Sequence, residues 1–288
     1  MIKKTPKVSV LTPIYNTNPV HLKNMIESIL KQTFTDFEFL ILNDSLDNKR
    51  IEKIVLKYAE RDNRIKYAKN KKNMGITYSR NKLIKMSKGE YLAIFDHDDI
   101  SIQKRLEKEV NYLDNHPYVG VVSGWLQYFE ESNKLHKTPE QDTDIKIWLT
   151  EDCYIAHTAA MIRKSVLTEN NIEYEEYYSP AEDYRLWARL MDVTHFYNFQ
   201  EALVNYRWFA SNTTNKQAQK MAFAHDCVQL EICDKHPFMR KLCKSAEYRG
   251  NSTTRFRLRL FNFIPLLKVK NNKVYLFECL PIFKIKIF

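Results

Sequence analysis

Residues Tyr91–Asp99 read YLAIFDHDD, an apolar run that ends in three carboxylates. The run has the length and composition of a buried strand, so Asp96, Asp98 and Asp99 are predicted just beyond its carboxyl end. Ligands of open α/β sheets bind at that edge. Carboxylates with Asp-x-Asp spacing on a tight turn can converge on a hard divalent cation, which holds nucleotide phosphates. The alternative is that they cap the helix predicted near Ser101–Asn115.

Strand and helix patterns alternate on the amino-terminal side of this run. Apolar strands are predicted at Lys7–Pro13, Phe37–Asn43 and Ile65–Ala68, separated by amphipathic segments of helical period. This alternation predicts an α/β fold with a Rossmann-like, mostly parallel central sheet flanked by helices. Because the carboxyl ends of such strands share one edge, we expect Asp44 and the segment 73–81 to lie near the three aspartates.

The pattern after the YLAIFDHDD run is mixed. A strand is predicted at Ile155–Ile162, a helix at Pro180–Met191 and a long helix at Lys216–Cys233. Glu182 and Asp183 fall in the first turn of the first of these helices. The helix dipole favours acidic side chains there, which is the structural explanation for the pair.

The positive charge of the chain lies at its carboxyl-terminal end. The net charge is +10, yet residues 1–234 carry 32 Lys or Arg against 33 acids, whereas residues 235–288 carry 13 against two. A nearly neutral main domain argues against binding to nucleic acid. The basic tail indicates an acidic surface as its partner.

The tail also contains two copies of one pattern, LFNFIPLLKVK at 260–270 and LFECLPIFKIK at 276–286. Each copy joins an apolar cluster to lysines through a proline, a composition suited to an anionic membrane surface. A hairpin packed on its own domain, or on a second subunit of a homo-oligomer, is the equal alternative. The predicted organisation is a domain at 1–215 and a helical, then basic and apolar, extension at 216–288.

Length and composition exclude several classes of protein. The 288 residues suffice for one α/β domain and an appendage, and no stretch approaches the roughly 18 apolar residues of a membrane span. Five cysteines without CxxC spacing indicate neither a disulfide framework nor a zinc site. The amino terminus lacks a signal-peptide pattern, so we expect a cytoplasmic protein, free or peripheral on the inner face of the cell membrane.

Six motifs, in this order, resemble those of the family 2 glycosyltransferases of GT-A fold over residues 7–215. They are VSVLTPIYN at 8–16, ILNDSLDN at 41–48, NMGITYSRN at 73–81, FDHDD at 95–99, SPAEDYRLWARL at 179–190 and NYRWFASNTT at 205–214. The resemblance implies a bacterial-type, inverting enzyme that transfers a hexose from a nucleotide sugar, most often a UDP-linked one.

The resemblance also implies roles on the donor side. Pro13, Tyr15 and Asp44 would line the pocket for the base and ribose, and Arg80 would be aimed at the nucleotide or its diphosphate. A carboxylate can accept a hydrogen bond from the imide N–H of uracil, and a tyrosine offers an aromatic face. A turn-capping aspartate, a packed tyrosine and a solvated arginine are the structural alternatives.

Within FDHDD, the resemblance places Asp96 near the ribose and the metal, and Asp98 directly on the metal. Mn²⁺ or Mg²⁺ is thus the expected cofactor, and it would neutralise charge on the leaving nucleotide. His97 would be structural or would face the acceptor. Many members of the family complete the metal shell with a histidine in the pattern YRxH, but here Phe209 takes that place and cannot coordinate a metal.

On the acceptor side, Asp183 aligns with the acid that serves as general base in inverting members of the family. Glu182 would hold the loop or touch the acceptor. His157 lies in a segment that flanks the acceptor cleft in the family, although a lone histidine is more often structural.

The sequence therefore predicts an inverting, metal-assisted hexosyltransferase that acts on a saccharide or lipid-linked saccharide, in polysaccharide or lipooligosaccharide biosynthesis. The alternative is a catalytically silent module that binds sugar nucleotides or saccharides and is tethered by its basic tail. Phe209 favours that alternative, whereas Asp98 and Asp183 disfavour it. A nucleotidyltransferase would need a glycine-rich phosphate loop, and the chain has only five glycines.

Overall fold

The computed structural model of the chain describes residues 5–209 and 217–245 and, beyond them, the backbone of four strands. The strands of the main sheet are β1 (Val8–Ile14), β2 (Phe37–Asn43), β3 (Ile65–Lys69), β4 (Tyr91–Ile94), β5 (Ile100–Ser101), β6 (Val119–Glu130), β7 (Leu135–His136), β8 (Met161–Arg163) and β9 (His195–Trp208). The α-helices are α1 (Pro19–Leu30), α2 (Lys49–Ala59), α3 (Ile76–Met86), α4 (Arg105–Asn115), α5 (Asp142–Trp148), α6 (Lys164–Glu169), α7 (Glu182–Leu190), α8 (Ala218–Lys235) and α9 (Pro237–Lys244). Within the described ranges no helix combines the length and the apolar character needed to cross a membrane.

Parallel strands in the order β3-β2-β1-β4 form the first half of the sheet. β1 pairs along its whole length with β2, from Val8 opposite Phe37 to Ile14 opposite Asn43, and its other edge pairs with β4. Every residue of these three strands is buried, because parallel strands linked by helical crossovers are covered on both faces. The predicted α/β fold is confirmed, and the carboxyl ends of these strands face one edge.

The second half of the sheet is mixed. β8 pairs antiparallel with β4 and with β6, β9 runs parallel to β6, and β5 lies antiparallel to β9. The strand predicted at Ile155–Ile162 is confirmed only at its end, since His157–Ala159 form one turn of 3₁₀ helix before β8 begins. The amide of Ile94 donates to the carbonyl of Ala160 (2.8 Å), which places this turn beside the carboxyl end of β4.

Two predicted helices begin or end elsewhere than expected. The helix expected from Ser101 begins at Arg105, because Ile100–Ser101 form β5 and pair with β9. The long helix expected at 216–233 spans Ala218–Lys235. Tertiary pairing thus shifts helix boundaries that periodicity alone leaves open.

The chain divides into two compact units, residues 1–235 and 236–288. α8 belongs to the first unit because it packs on α7 and carries ion pairs to it and to the segment that follows, Arg185 with Glu231 and Lys235 with Asp192. The division therefore follows α8 in the sequence, whereas the predicted boundary between residues 215 and 216 precedes it.

The second unit, taken by itself, contains α9 and a four-stranded antiparallel sheet. Its strands are β10 (Arg257–Leu260), β11 (Ile264–Lys270), β12 (Lys273–Leu276) and β13 (Leu280–Lys284). Arg257 lies opposite Lys268, and Lys273, 16 residues after Arg257, lies opposite Lys284, 16 residues after Lys268. Both pairs of strands shift register at the equivalent place, so the repeat in the sequence coincides with a repeat in backbone pairing.

Candidate active site at the sheet rim

The loops that follow β1 and β2 border a cleft of about 490 Å³ at the carboxyl edge of the sheet. Its lining residues are Tyr15, Asn16, Ser45, Leu46, Asp47, Asn48 and Asn73. Tyr15 leaves 51% of its surface exposed there. Pro13, in contrast, is buried inside β1, opposite Leu42. Both residues were predicted to line the nucleotide pocket. Tyr15 lines the cleft, whereas Pro13 lies inside the sheet.

Asp44 is a buried carboxylate that organises the neighbouring loop. It accepts hydrogen bonds from the side-chain amide of Asn70 (2.7 Å) and from the backbone amides of Met74 and Gly75 (2.9 Å each). Gly75 has φ +84°, a left-handed conformation that strains residues with side chains. Asp44 therefore fixes the start of α3, as its turn-capping alternative describes, while hydrogen bonding to uracil stays a prediction.

The three aspartates after β4 do not cap a helix. α4 starts six residues beyond Asp99, at Arg105, and has no side-chain cap. Asp96 and Asp98 leave 30% and 31% of their side chains exposed, whereas Asp99 is completely buried. The helix-cap interpretation is therefore wrong, because β5 separates the turn from the helix and leaves two carboxylates at the rim.

Asp99 ties the turn to two distant segments. It accepts hydrogen bonds from the hydroxyl of Thr158 (2.8 Å) and from the backbone amide of Arg207 (2.8 Å). The guanidinium of Arg207 in turn donates to the carbonyl of Asp98 (2.8 Å). Burial and the charges of Asp98 and Asp96 raise the pKa of Asp99 well above its usual value. Asp99 is thus the internal anchor of a turn whose other two carboxylates face outward.

Arg80 joins the two sides of the site. Its guanidinium pairs with Glu182 (Nη1 to Oε1, 2.6 Å) and lies 3.4 Å from Asp96 (Nη2 to Oδ1). Burial opposes ionisation of Asp96, but the charge of Arg80 holds its pKa below the ordinary value. Arg80 was predicted to be aimed at the nucleotide. In the structure it links α3 to α7 and to residues 96–99, which we call the aspartate turn.

Asp183 occupies the first turn of α7, where its Oδ1 accepts the amide of Tyr184 (2.7 Å). Burial and the adjacent charge of Glu182 raise the pKa of Asp183 to about 6, against the opposing charge of Arg80. A carboxylate with this pKa is ionised at neutral pH and still accepts a proton readily. The arrangement is suited to proton abstraction.

His157 lies beneath the rim rather than on it. The residue is only 8% exposed, its Nε2 lies 2.8 Å from the hydroxyl of Tyr174, and its ring packs near Trp187. Burial and the charge of Arg80 lower the pKa of His157 to about 3, so the imidazole is neutral. In this structure His157 has the structural surroundings that its alternative interpretation describes.

Two contacts of aromatic rings concern the predicted metal site, one at His97 and one between Phe209 and His21. His97 lies beside Asp98, with 3.8 Å between Nδ1 and Oδ1, and Nδ1 is buried without a hydrogen-bond partner among the described residues. Phe209 stacks on His21 of α1, with ring centroids 6.0 Å apart. Burial and the charge of Arg207 lower the pKa of His21. His97 therefore lies close to the carboxylate predicted to hold a metal, and the charge of Asp98 also acts on His21.

The carboxylates at the rim fit a hard divalent cation that is held jointly with a ligand. No group of three metal-ligating side chains is preassembled in the part of the chain that the structure describes. Mg²⁺ is normally held by one or two carboxylates together with substrate phosphates rather than by a complete protein cage. Asp98 and Asp96, two positions apart in the turn and partly exposed, are the donors that such an ion would use.

Sequence reasoning missed the residues that connect the rim. Thr158, Tyr174 and Arg207 reach the site from the turn before β8, from the segment before α7 and from β9. The hydrogen bond between Asp99 and Arg207 spans 108 positions in the sequence. No local spacing signals contacts over that distance, although Arg207 lies inside a quoted motif.

Comparisons with known proteins agree on one family. The family model "Glycosyl transferase family 2" matches residues 9–170. An uncharacterized glycosyltransferase of Methanocaldococcus jannaschii is 34% identical over 209 residues, covering 70% of this chain and 71% of that protein. The O-antigen biosynthesis glycosyltransferase WbnJ of Escherichia coli is 31% identical over 214 residues, covering 72% and 80%.

Solved structures show the same fold at lower identity. Staphylococcus aureus TarS (residues 1–349) in complex with UDP has a TM-score of 0.59 at 19% identity, covering 84% of this chain and 77% of that one. The mannosyltransferase PcManGT of Pyrobaculum calidifontis, in complex with GDP-Man and Mn²⁺, has a TM-score of 0.63 at 14% identity, covering 84% and 71%. Both align over most of the described chain.

Proposed function

Because the chain belongs to glycosyl transferase family 2, and is thus a transferase, we propose that it moves one hexose from a UDP-sugar to a hydroxyl of a saccharide or lipid-linked saccharide. The observation that carries the proposal is that carboxylates in two different electrostatic environments lie at the same edge of the sheet. Arg80 bridges Asp96 to Glu182 and keeps the pKa of Asp96 low, whereas burial and the charge of Glu182 raise the pKa of Asp183 to about 6.

On the donor side, the cleft beside Tyr15 receives the base and ribose, and the rim aspartates receive the diphosphate end. The exposed tyrosine face is suited to stacking on a base. TarS and PcManGT were solved with UDP and with GDP-Man and Mn²⁺, respectively, which supports a nucleotide-sugar donor here. A Mn²⁺ or Mg²⁺ ion held by Asp98 and Asp96 would offset the negative charge of the leaving diphosphate.

On the acceptor side, Asp183 takes the proton from the acceptor hydroxyl. The acceptor oxygen forms a bond to the anomeric carbon while the bond from that carbon to the diphosphate oxygen breaks. A single displacement of this kind inverts the configuration at the anomeric carbon. Glu182 and Arg80 keep the base oriented, since their ion pair fixes the first turn of α7.

A donor panel tests this function directly. Full-length protein is incubated with UDP- and GDP-sugars and oligosaccharide acceptors, with and without a chelator, and nucleotide release is measured. We expect release of UDP from one donor, loss of release with the chelator, and a product whose anomeric configuration by NMR is opposite to that of the donor. Retained configuration would contradict the single displacement, and the absence of release from every donor would contradict the enzyme.

The second candidate, a binding module without turnover, is favoured by Phe209, which replaces the family's histidine. It predicts that UDP-sugars bind but are never cleaved. Calorimetric titration with UDP, run beside the donor panel, separates the two functions. Binding without nucleotide release under every metal condition would select the module.

We also propose that the basic tail holds the protein on an anionic membrane face. Clustered Lys and Arg near such a surface contribute about 1 kcal/mol each before screening. Replacing Lys268, Lys270, Lys284 and Lys286 together by Gln in the full chain should reduce sedimentation with phosphatidylserine vesicles at least about tenfold. The matched control replaces four exposed lysines of the first unit, Lys53, Lys57, Lys71 and Lys72. Equal loss from both sets would refute a role specific to the tail.

A further inference from the structure

Arg105, the first residue of α4, is a charged side chain with no exposed surface. Its guanidinium donates to the carbonyls of Ile94 (3.0 Å), Thr158 (2.8 Å) and Ala160 (3.2 Å). The first of these carbonyls ends β4, directly before the aspartate turn, and the other two belong to the turn that precedes β8. One planar fork of donors thus fastens two separate segments together at the root of the rim.

The third nitrogen of Arg105, Nε, pairs with Glu109 one helical turn later (3.1 Å). Glu109 is also fully buried, and burial raises its pKa to about 7 against the charge of Arg105. A buried ion pair of this kind is weak evidence for stability, since well-packed apolar side chains often serve as well. The three carbonyl contacts therefore indicate what the arginine does that an apolar residue could not.

Thr158 carries the connection from Arg105 to the carboxylates. Its carbonyl accepts from Arg105, while its hydroxyl donates to Asp99 (2.8 Å) and accepts from the backbone amide of Asp96 (3.2 Å). Thr158 is 2% exposed, so solvent cannot replace these partners. A continuous chain of hydrogen bonds runs from Glu109 through Arg105 and Thr158 to both ends of the aspartate turn.

We propose that Arg105 is a positioning residue that acts through Thr158 to hold Asp96 and Asp98 in the conformation that binds the donor. The proposal rests on the proposed donor function and adds a residue that touches neither substrate nor reacting atoms. Side chains that orient binding groups typically change affinity by about 10- to 100-fold when they are replaced.

Arg105→Lys tests the proposal while keeping the positive charge beside Glu109. A lysine ammonium is a compact charge on a flexible stem and lacks the planar fork of donors that reaches the three carbonyls. The matched control is Arg163→Lys, at the opposite end of the same strand pair. Arg163 lies opposite Tyr91, the first residue of β4, whereas the aspartate turn follows the last residue of that strand. Its guanidinium donates to the carbonyl of Leu113 (2.9 Å).

Both variants are compared by thermal melting and by calorimetric titration with UDP in Mn²⁺. We expect similar losses of Tm, a roughly tenfold weaker UDP affinity for Arg105→Lys and an affinity within about twofold of wild type for Arg163→Lys. Equal UDP affinities in the two variants would reduce Arg105 to a structural residue and overturn the proposal.

Thr158 supplies a second test that does not depend on the folding of the Arg105 variant. Thr158→Val keeps the shape of the side chain but removes the hydroxyl, and Thr158→Ser retains it. We expect weaker UDP binding in Thr158→Val, by about tenfold, and recovery in Thr158→Ser. Loss in both, or in neither, would contradict the connection.

The wild-type titration separates this proposal from the function on which it rests. Wild-type protein that binds neither UDP nor GDP would overturn the donor function and the positioning role together. Wild-type binding with unchanged affinity in Arg105→Lys and Thr158→Val would overturn the positioning role alone.

Discussion

The carboxylates of the rim fall into two groups that the fold treats in opposite ways. Asp96, in the turn after the parallel strands, is partly exposed and lies near Arg80, whose charge overcomes the effect of burial and keeps its pKa low. Asp183, at the start of α7, is half-buried beside the buried Glu182, and desolvation with the charge of that neighbour raises its pKa to about 6. Asp96 therefore keeps its negative charge to lower pH than Asp183, which takes up a proton more readily.

The two groups serve different steps of the proposed reaction, and each step needs different surroundings. Fixed carboxylates attract a cation and the phosphates it carries, and they serve best when they stay ionised at every working pH. A general base must instead give up its charge during the reaction, so desolvation beside Glu182 is useful. Arg80 bridges the two surroundings, since it pairs with Asp96 and with Glu182.

The strongest way to break the contrast is Asp183→Asn. The amide cannot accept the proton of the acceptor hydroxyl, so we expect kcat to fall by about 10²- to 10⁴-fold. The UDP affinity should stay within about twofold, because the fixed carboxylates are untouched. Asp192→Asn is the matched control, since it removes an acid just beyond α7 that pairs with Lys235. Full transfer by Asp183→Asn would remove this residue from the mechanism.

The complementary change, Asp98→Asn, removes a fixed charge on the other side. We expect UDP affinity in Mn²⁺ to weaken by about 100-fold, because a carboxylate ligand contributes several kcal/mol to a metal and phosphate site. The apparent pKa of the pH–rate profile should not move. Asp234→Asn, an exposed acid on α8, serves as the control for lost charge. Unchanged Mn²⁺-dependent UDP binding would show that the metal is held elsewhere.

The pH–rate profile sharpens the same comparison without a mutation. In the proposed mechanism Asp183 acts only when ionised, so kcat/KM should rise with pH through about 6 and level off above it. Below that value it should fall by nearly tenfold per pH unit. Profiles with two acceptors of different hydroxyl acidity show whether the midpoint belongs to the enzyme. A midpoint near 4 would contradict the desolvated base.

The raised pKa also has a consequence for stability. Because the pKa of Asp183 is higher in the folded protein, its contribution to stability is complete below about pH 4 and is lost as pH rises through about 6. Asp183→Asn should therefore raise Tm by several degrees at pH 8 and by much less at pH 4. Thermal melting of both proteins at the two pH values measures this difference. An equal shift at both would mean that ionisation is not the cause.

The position of the first group, the carboxylates that follow the parallel strands, was largely predictable from the sequence. The apolar runs that became β1, β2 and β4 are fully buried, and burial on both faces leaves an unbroken apolar signal. Polar residues directly behind such runs must reach the same edge, so the positions of Asp44 and Asp96 followed. A turn-capping role was one of the two sequence interpretations of Asp44, but Met74 could not be identified as its partner, because that contact depends on the path of an intervening strand.

For the second group, at the start of α7, the sequence predicted the helix and its acidic first turn but not the surroundings of Asp183. The pairing of Arg80 with Glu182 spans 102 positions, and the environment of Asp183 depends on it. For His157 both an acceptor-side and a structural role were open, and the 3₁₀ turn buries its imidazole against Tyr174. Contacts between distant segments are set by the sheet order, which local periodicity does not encode.

The smallest expected effect concerns the residue at which the chain departs from its family. Phe209 stacks on His21 near the aspartate turn and brings no metal ligand. Phe209→His should strengthen Mn²⁺ binding in the presence of UDP by roughly threefold to tenfold, because an imidazole adds a ligand to the fixed carboxylates.

Mg²⁺ binding should change less than Mn²⁺ binding, since Mg²⁺ favours oxygen ligands. Phe209→Leu is the control, as it removes the ring contact with His21 without adding a ligand. Metal titration followed by calorimetry compares the three proteins. A gain in Phe209→His alone would show that the side chain at position 209 reaches the ion held by Asp98. Equal gains in both variants would instead trace the effect to the lost stacking, and no gain would separate Phe209 from the metal shell.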